Sequence, residues 1–203
     1  MQTKKPRFQR NRQAILDAAR EIIAERGMDG LSMRSLAEKA DYSPSTLYRY
    51  FEDKDAILDA LAKQAAAAVQ EMPSERATNT NDPLEILLQS GLRLYDFARD
   101  HPVQYQLMTS ATKSSPKNLE TFLKDQNFEG LVVLIREGAI SGSLRLPDGF
   151  NAERMAMLLW FAIHGASMLR AGLMSDFGEE CDEMVEQLAA GLKTMMKIET
   201  GES

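Results

Sequence analysis

The 203-residue sequence has little of what several protein classes require. A single cysteine, Cys181, rules out a disulfide within the chain and suits a reducing compartment better than secretion. With only two histidines beside it, the sequence predicts no metal, no cofactor and no catalytic residues. No apolar run approaches the roughly 18–20 residues that span a bilayer, and the basic N-terminus lacks the apolar core of a signal peptide. We therefore expect a cytoplasmic protein with no membrane partner.

Charge is unevenly divided along the chain. The formal net charge is −6, which on average argues against nucleic acid as a partner. Residues 1–54 nevertheless contain 11 basic and 8 acidic residues, whereas residues 55–203 contain 13 and 22. The first 12 residues include five cations and no acid: Lys4, Lys5, Arg7, Arg10 and Arg12. This segment is either a solvated tail or an arm that neutralises phosphates or enters a minor groove.

Nearly every periodic segment predicts a helix, so the expected fold class is all-α. Apolar residues recur at helical spacing over 10–26, 33–40, 44–51, 54–72, 83–100, 101–112, 119–141, 151–173 and 179–198. Ser32, Ser43, Asp53 and Asn151 stand where N-caps are expected. The polar residues 73–83 lie between two prolines and predict a linker.

The second and third predicted helices, joined by the tight turn Asp41-Tyr42-Ser43, form a candidate helix-turn-helix. A short helical hairpin is a weak signal, but the third helix adds chemistry to it. We expect its inner side to pack Leu47, Tyr50 and Phe51 into the core. The outer side keeps Ser43, Ser45, Thr46, Tyr48 and Arg49. Hydroxyls at a helix N-terminus can bind phosphate, and a phenol and a guanidinium can donate to phosphates and base edges. Lys54 opens the next helix, where it can reach a neighbouring phosphate.

Residues 9–58 resemble the N-terminal domain of the TetR/AcrR bacterial transcriptional regulators. The resemblance rests on the helix ending in Arg26-Gly27, on LSMRSLAEKA and above all on YSPSTLYRYFEDKDAIL. It implies a homodimer with two helix-turn-helix heads and a helical ligand-sensing body. It also implies that these residues approach DNA: Ser32 and Arg34 from helix two, Ser43, Ser45, Thr46, Tyr48 and Arg49 from helix three, and Lys54 from helix four. With the arm residues Lys4, Lys5 and Arg7, they make the predicted DNA-binding set.

One departure from the family is Asp41-Tyr42, where these regulators usually have glycine followed by a small aliphatic residue. Aspartate tolerates the left-handed backbone conformation better than most residues, so we expect the turn to survive. A second is Pro44-Ser45, at a variable position that bears on operator sequence.

The rest of the chain resembles the family less specifically. Trp160, His164 and Gly165 match the W-x-x-x-H-G spacing of a subgroup called WHG, which does not fix the ligand. No second metal ligand stands three or four residues from His164, so a core or pocket histidine is the favoured interpretation. Nine of the 12 methionines follow residue 55, as ordinary core or as a pliable pocket. The expected pocket residues are Leu88, Leu92, Tyr95, Tyr105, Met108, Phe128, Leu131, Trp160, His164 and Met168.

The last two predicted helices are apolar on more than one face, which predicts self-association. The expected interface residues are Met155, Leu159, Ala162, Ala166, Leu169, Met184, Leu188, Leu192 and Met195. The predicted division is a helix-turn-helix domain with its basic arm (1–54), a connecting helix (55–72), a linker (73–83) and a helical regulatory and dimerisation domain (84–203).

These features predict a ligand-responsive DNA-binding regulator. The favoured hypothesis is a homodimeric repressor that a small apolar or amphipathic effector releases from a near-palindromic double-stranded DNA operator. When bound to DNA it would be associated with the nucleoid. The alternatives are an activator of the same fold and a helical adaptor that does not read DNA. A helical enzyme is disfavoured, because the chain lacks a nucleophile–base pair and a metal cluster.

Overall fold

The structure is a computed structural model that describes residues 4–72, 80–110 and 115–197, with side chains from Pro6 onward. Its described residues form ten α-helices and one short 3₁₀ turn, without a β-strand among them, which confirms the all-α prediction. They group into two compact units. The first unit comprises the described residues of Met1–Gln70 and Val103–Ser115, and the second those of Glu71–Pro102 and Pro116–Ser203.

The first unit is built mainly from the N-terminal helices. Their bounds are α1 (Lys4–Arg26), α2 (Met33–Lys39), α3 (Pro44–Leu47) and α4 (Lys54–Glu71), joined by most of α6 (Pro102–Thr109). Helix α1 begins earlier than predicted, so the basic segment from Lys4 onward forms its first turns. The regular part of α3 is shorter than predicted, since it gives way to turns after Leu47.

Capping side chains set the helix ends around the predicted helix-turn-helix. Ser32 Oγ accepts a hydrogen bond from the backbone N–H of Ser35, and Ser35 Oγ accepts one from the N–H of Ser32. Ser43 Oγ accepts from the N–H of Thr46, and Pro44 fills the first helical position, where no N–H is needed. The predicted caps at Ser32 and Ser43 are therefore confirmed.

The turn between α2 and α3 depends on Asp41. Its backbone is left-handed, with φ of +56°. The N–H of the next residue, Tyr42, then donates a hydrogen bond to the Ala37 carbonyl oxygen, with an N–O distance of 3.0 Å. Aspartate adopts this conformation at less cost than most residues with a Cβ. The expectation that the turn survives without glycine is confirmed.

A helix from beyond the linker completes the core of the first unit. Leu107 is only 1% exposed and packs in one cluster with Ile15, Leu36, Leu47 and Ile57. Val103 lies against the same cluster. The predicted division placed residues 102–112 in the regulatory domain. That part of the division differs from the structure, because the apolar side of α6 is buried in the first unit.

The second unit contains α5 (Pro83–Asp100), α7 (Leu119–Leu123), α8 (Gln126–Ser141), α9 (Ala152–Ala171) and α10 (Gly178–Met196). The prediction of one helix over 119–141 is wrong. Helix α7 ends at Leu123, and a new helix begins at Gln126. The Asp125 side chain caps this helix, α8, by accepting a hydrogen bond from the N–H of Asn127. Of the predicted linker, residues 73–79 lie outside the described residues.

The core of the second unit lies between α5, α8 and α9. Phe128, Ile135 and Met155 are completely buried there. Gly138 permits a close approach, because a Cβ at this position would lie 2.7 Å from Leu144 Cγ. None of the described helices is both long enough and apolar enough to cross a membrane.

Candidate nucleic-acid interface

The residues that follow Ser43 carry the exposed side chains of the predicted recognition helix. Tyr48 is 56% exposed, and Arg49 beside it is also exposed. Leu47 and Phe51 are buried in the core of the first unit and anchor the segment from its inner side. The phenol and the guanidinium therefore project outward as predicted, where they can donate to phosphates or base edges.

Hydroxyl groups are concentrated at the start of α3. Ser43 Oγ lies 2.9 Å from Ser45 Oγ and 2.8 Å from Thr46 Oγ1. Ser43 and Ser45 are exposed, and Thr46 is half-buried. The three predicted residues therefore lie together. These hydroxyls bond to one another, and each can rotate to donate its hydrogen to a phosphate oxygen instead.

Helix α2 contributes Ser32 and Arg34, both of which are exposed. Ser32 is committed to the capping box, so its backbone position is fixed. Arg34 Nε donates to Glu38 Oε1 at 3.3 Å, and the arginine side chain is 90% exposed. A surface ion pair of this kind contributes little, so the guanidinium can exchange its partner for a phosphate. We define the reading surface as Ser32, Arg34, Ser43, Ser45, Thr46, Tyr48 and Arg49.

Lys54 is placed by a contact that the sequence did not reveal. Its Nζ donates to the backbone carbonyl oxygen of Met28 at 2.9 Å, and the side chain is half-buried. The ammonium group keeps two further N–H donors. Lys54 therefore ties the start of α4 to the loop after α1 while retaining the capacity to bind a phosphate.

The basic N-terminal segment is helical where the structure describes it. Arg7 is exposed on the first turns of α1, whereas the side chains of Lys4 and Lys5 lie outside the described ones. Two further residues of these turns, Phe8 and Asn11, contact Tyr50, and neither was predicted. The helical spacing of Phe8, Asn11 and Arg12 on one face was the signal available in the sequence.

The predicted pocket residues are divided between the two units. Tyr105 and Met108 belong to the first unit, whereas the other eight belong to the second. Met168 was predicted to line the pocket, but its side chain is 62% exposed at the surface of the second unit. A groove of about 590 Å³ in the second unit lies elsewhere. Its lining residues are Asn81, Asp82, Pro83, Leu84, Ser141, Gly142, Ser143, Lys193 and Lys197.

Aromatic rings fill the space expected for part of the pocket. The Trp160 ring lies 5.8 Å from Phe128 and 5.6 Å from Phe122, both edge to face, and 4.4 Å from the His164 ring. Burial lowers the pKa of His164 below its ordinary value, so the imidazole is neutral at pH 7. Leu88 and Leu131 pack against the same core.

Tyr95 serves a polar network instead of a pocket. Its hydroxyl donates to Asp182 Oδ1 at 2.7 Å, and Arg170 Nε donates to the same oxygen at 3.1 Å. Burial and the Asp182 carboxylate raise the pKa of Tyr95 above its ordinary value. Although burial opposes it, the hydrogen bonds from Tyr95 and Arg170 lower the pKa of Asp182. The network joins α5, α9 and α10.

The last two helices expose a large apolar surface. We call it the outer face and define it by exposed residues of α9, of the turn after it and of α10: Leu158, Phe161, Ala162, Met168, Leu169, Leu173, Met184, Leu188 and Met195. Met155 was predicted at an interface, but this is wrong, because its side chain is completely buried in the second unit. Leu159, Ala166 and Leu192 are half-buried. Leu158, Phe161 and Leu173 were not predicted as interface residues.

Comparisons with known proteins point to the same N-terminal residues. The sequence pattern described as "Bacterial regulatory proteins, tetR family" matches residues 15–61. Over 57 residues the chain is 46% identical to the tetracycline repressor protein class D of Escherichia coli, covering 28% of this chain and 26% of that protein. The chain thus matches about a quarter of the length of the tetracycline repressors.

Two further proteins are similar over nearly the whole chain. The HTH-type transcriptional regulator YobS of Bacillus subtilis is 24% identical over 195 residues, covering 94% of this chain and 93% of that protein. A solved structure of a protein with unknown function from Rhodococcus sp. RHA1 is 26% identical, with a TM-score of 0.70. It covers 93% of this chain and 96% of that one. The similarity therefore extends to the fold of the second unit.

Proposed function

Because residues 15–61 match the pattern of the tetR family of bacterial regulatory proteins, we propose that this chain is a TetR-family homodimeric repressor that binds a near-palindromic DNA operator. The reading surface is the observation that carries the proposal. It combines exposed hydroxyl, phenol and guanidinium groups on two short helices around a left-handed turn. The tetracycline repressors, which match the same residues, are named as repressors. The proposed DNA partner lies in the bacterial cytoplasm, where the protein would be associated with the nucleoid.

Charge supports the assignment of DNA binding to the first unit. Residues 1–54 carry a formal charge of +3 and residues 55–203 one of −9. Phosphate contacts release counterions, so the logarithm of the affinity falls by about 0.9 per contact for each unit of log salt concentration. The acidic remainder of the chain weakens non-specific attraction to DNA. Binding is therefore expected to depend steeply on salt and on the first unit.

The experiment is a salt titration with DNA selected by the full-length protein from a random duplex pool. We expect one near-palindromic sequence to be enriched and its affinity to fall steeply with salt. Tyr48→Phe should weaken binding to selected and scrambled duplexes about equally, since the hydroxyl is assigned to a phosphate. Arg145→Ala removes an exposed arginine from the second unit and serves as the control. Failure to retard any duplex at low salt would exclude DNA binding.

The outer face supports the homodimer. Phe161 is 66% exposed and Leu188 59%, and monomeric proteins rarely expose large contiguous apolar patches. Packing α9 and α10 of two copies against each other would bury both faces in a symmetric four-helix interface. Two recognition helices on a dimer suit half-sites about one helical turn of DNA apart, roughly 34–36 Å.

Sedimentation of charged variants tests the dimer. Phe161→Asp and Leu188→Asp should each give monomers, because they bury an unpaired carboxylate in the interface. Leu119→Asp is the matched control, since Leu119 is 63% exposed on α7, outside the outer face. A Phe161→Asp protein that still sediments as a dimer would place the interface elsewhere.

We also propose that a small apolar or amphipathic effector acts through the second unit. The Trp160 ring cluster and the neutral His164 provide apolar contacts beside a polar atom, which is the composition of ligand sites. An effector changes DNA binding only by its different affinity for two conformations. Transcription in vitro with and without compounds extracted from the purified protein distinguishes the outcomes. Release of repression supports the proposal, whereas stimulation of transcription would indicate an activator.

A further inference from the structure

The first turns of α1 are attached to the end of the recognition segment. The Phe8 ring stacks on Tyr50, with centroids 4.6 Å apart and planes inclined by 26°. Asn11 Nδ2 donates to the Tyr50 hydroxyl at 3.0 Å. The Arg12 guanidinium lies 4.7 Å from the centre of the Phe51 ring. Positions 8, 11 and 12 share one face of a helix, so that face is devoted to these two aromatic residues.

The segment that receives these contacts has mixed helical hydrogen bonding, in which the N–H of Phe51 still bonds to the Leu47 carbonyl at 3.0 Å. Helix α3 ends at Leu47. Beyond it, the N–H of Arg49 bonds to the Thr46 carbonyl at 3.2 Å and that of Tyr50 to the Leu47 carbonyl at 2.8 Å, which are three-residue turns. Tyr48 and Arg49, the largest side chains of the reading surface, lie within these turns. Their direction therefore depends on how the chain is held at Tyr50 and Phe51.

The two anchors are held in different ways. Phe51 is only 4% exposed and is fixed by the core of the first unit. Tyr50 is half-buried and lies at the edge of that core, where its ring meets Phe8 and its hydroxyl meets Asn11. Phe8 itself is 42% exposed, so core burial alone does not account for its position. The contact between Phe8 and Tyr50 is the link that can be removed without opening the core.

We propose that Phe8 and Asn11 are positioning residues for DNA reading. They hold Tyr50 and thereby fix the turn that carries Arg49 toward the bases and Tyr48 toward a phosphate. This inference rests on the proposed function, because it assigns a role within DNA recognition. Losing the stack should affect recognition of the correct sequence much more than general attraction to phosphates, since the cations of the first unit remain.

The test measures affinity for two duplexes at one salt concentration: the sequence selected by the full-length wild type and a scrambled version. Phe8→Ala should bind the selected duplex about tenfold more weakly, the upper range for loss of one aromatic pair. Its affinity for the scrambled duplex should stay within about twofold. Phe8→Tyr keeps the ring and should restore selective binding. Phe150→Ala, at a phenylalanine 38% exposed in the second unit, is the control.

A double-mutant cycle tests the attachment of α1 to Tyr50 through the hydrogen bond from Asn11 to the Tyr50 hydroxyl. Removing this bond has little effect on packing. Asn11→Ala and Tyr50→Phe remove its two ends, so the double variant should bind the selected duplex no more weakly than the weaker single variant. Independent, multiplicative losses would overturn the positioning role. So would equal losses on both duplexes by Phe8→Ala, or wild-type affinity of that variant.

The outcomes separate this inference from the function on which it rests. A wild type that enriches no sequence overturns the proposed function and the positioning role together. A wild type that selects a sequence, combined with Phe8→Ala and Asn11→Ala variants that bind it unchanged, overturns the positioning role alone.

Discussion

Lys54 is expected to have two roles, one in stability and one in DNA binding, and the Lys54→Met variant tests each by a separate measurement. Lys54→Met keeps the aliphatic stem and removes the ammonium group. The hydrogen bond from Nζ to the Met28 carbonyl is then lost, together with any phosphate contact. A hydrogen bond from a charged group contributes about 1.5–3 kcal/mol, and the half-buried position of this one places it at the lower end. The free energy of unfolding should therefore fall by about 1–2 kcal/mol.

The DNA-binding role has its own measurement. The slope of log affinity against log salt should become shallower by about 0.9 if Lys54 neutralises one phosphate. Lys63→Met is the matched control, because Lys63 is an exposed lysine of the same helix and its replacement changes the charge identically. Urea unfolding and the salt titration are measured on both variants. If the two variants agree in stability and in slope, the reasoning about Lys54 is refuted.

Three further predictions concern the second unit. Gly138→Ala should lower the free energy of unfolding by about 1–3 kcal/mol, because the added methyl group presses on Leu144. Gly130→Ala lies on the same helix with open space around it and should raise the free energy of unfolding by about 0.5–1 kcal/mol. Equal effects of the two variants in urea unfolding would contradict this. Ser167→Ala should stabilise the protein by about 1 kcal/mol, because the buried hydroxyl has no hydrogen-bond partner among the described residues. Burial lowers the pKa of His164 in the folded state, so the unfolded chain binds more protons and stability should fall as the pH drops below about 6.5. His164→Gln should reduce that slope, and an unchanged slope would argue against the burial.

Local chemistry made the helix-turn-helix predictable from the sequence. Ser32 and Ser43 cap helices through bonds to residues three positions away, and Asp41 tolerates its turn, so these features depend on nearby residues alone. The Phe8–Tyr50 stack was not predicted, because it joins residues distant in sequence. The break before α8 could have been recognised, since Asp125 precedes a periodic run as an N-cap does.

The second unit was harder to predict for a different reason. Helix α9 is apolar on nearly every side, so periodicity does not identify which residues face the core. Met155 was therefore assigned to an interface although it is buried, and Met168 to a pocket although it is exposed. Apolar composition likewise does not distinguish a cavity from a packed cluster, as the rings around Trp160 show.

The burial of Leu107 in the first unit limits how such regulators can be recombined. The first unit is encoded in two separate stretches, so the N-terminal stretch up to Gln70 does not contain the whole unit. A hybrid that joins this N-terminal stretch to the remainder of a relative would receive a foreign residue at a fully enclosed core position. Mismatched volume there costs about 2–5 kcal/mol when a leucine is lost to a small residue. A hybrid should therefore keep its stability when the segment around α6 and the N-terminal stretch are both taken from the same relative.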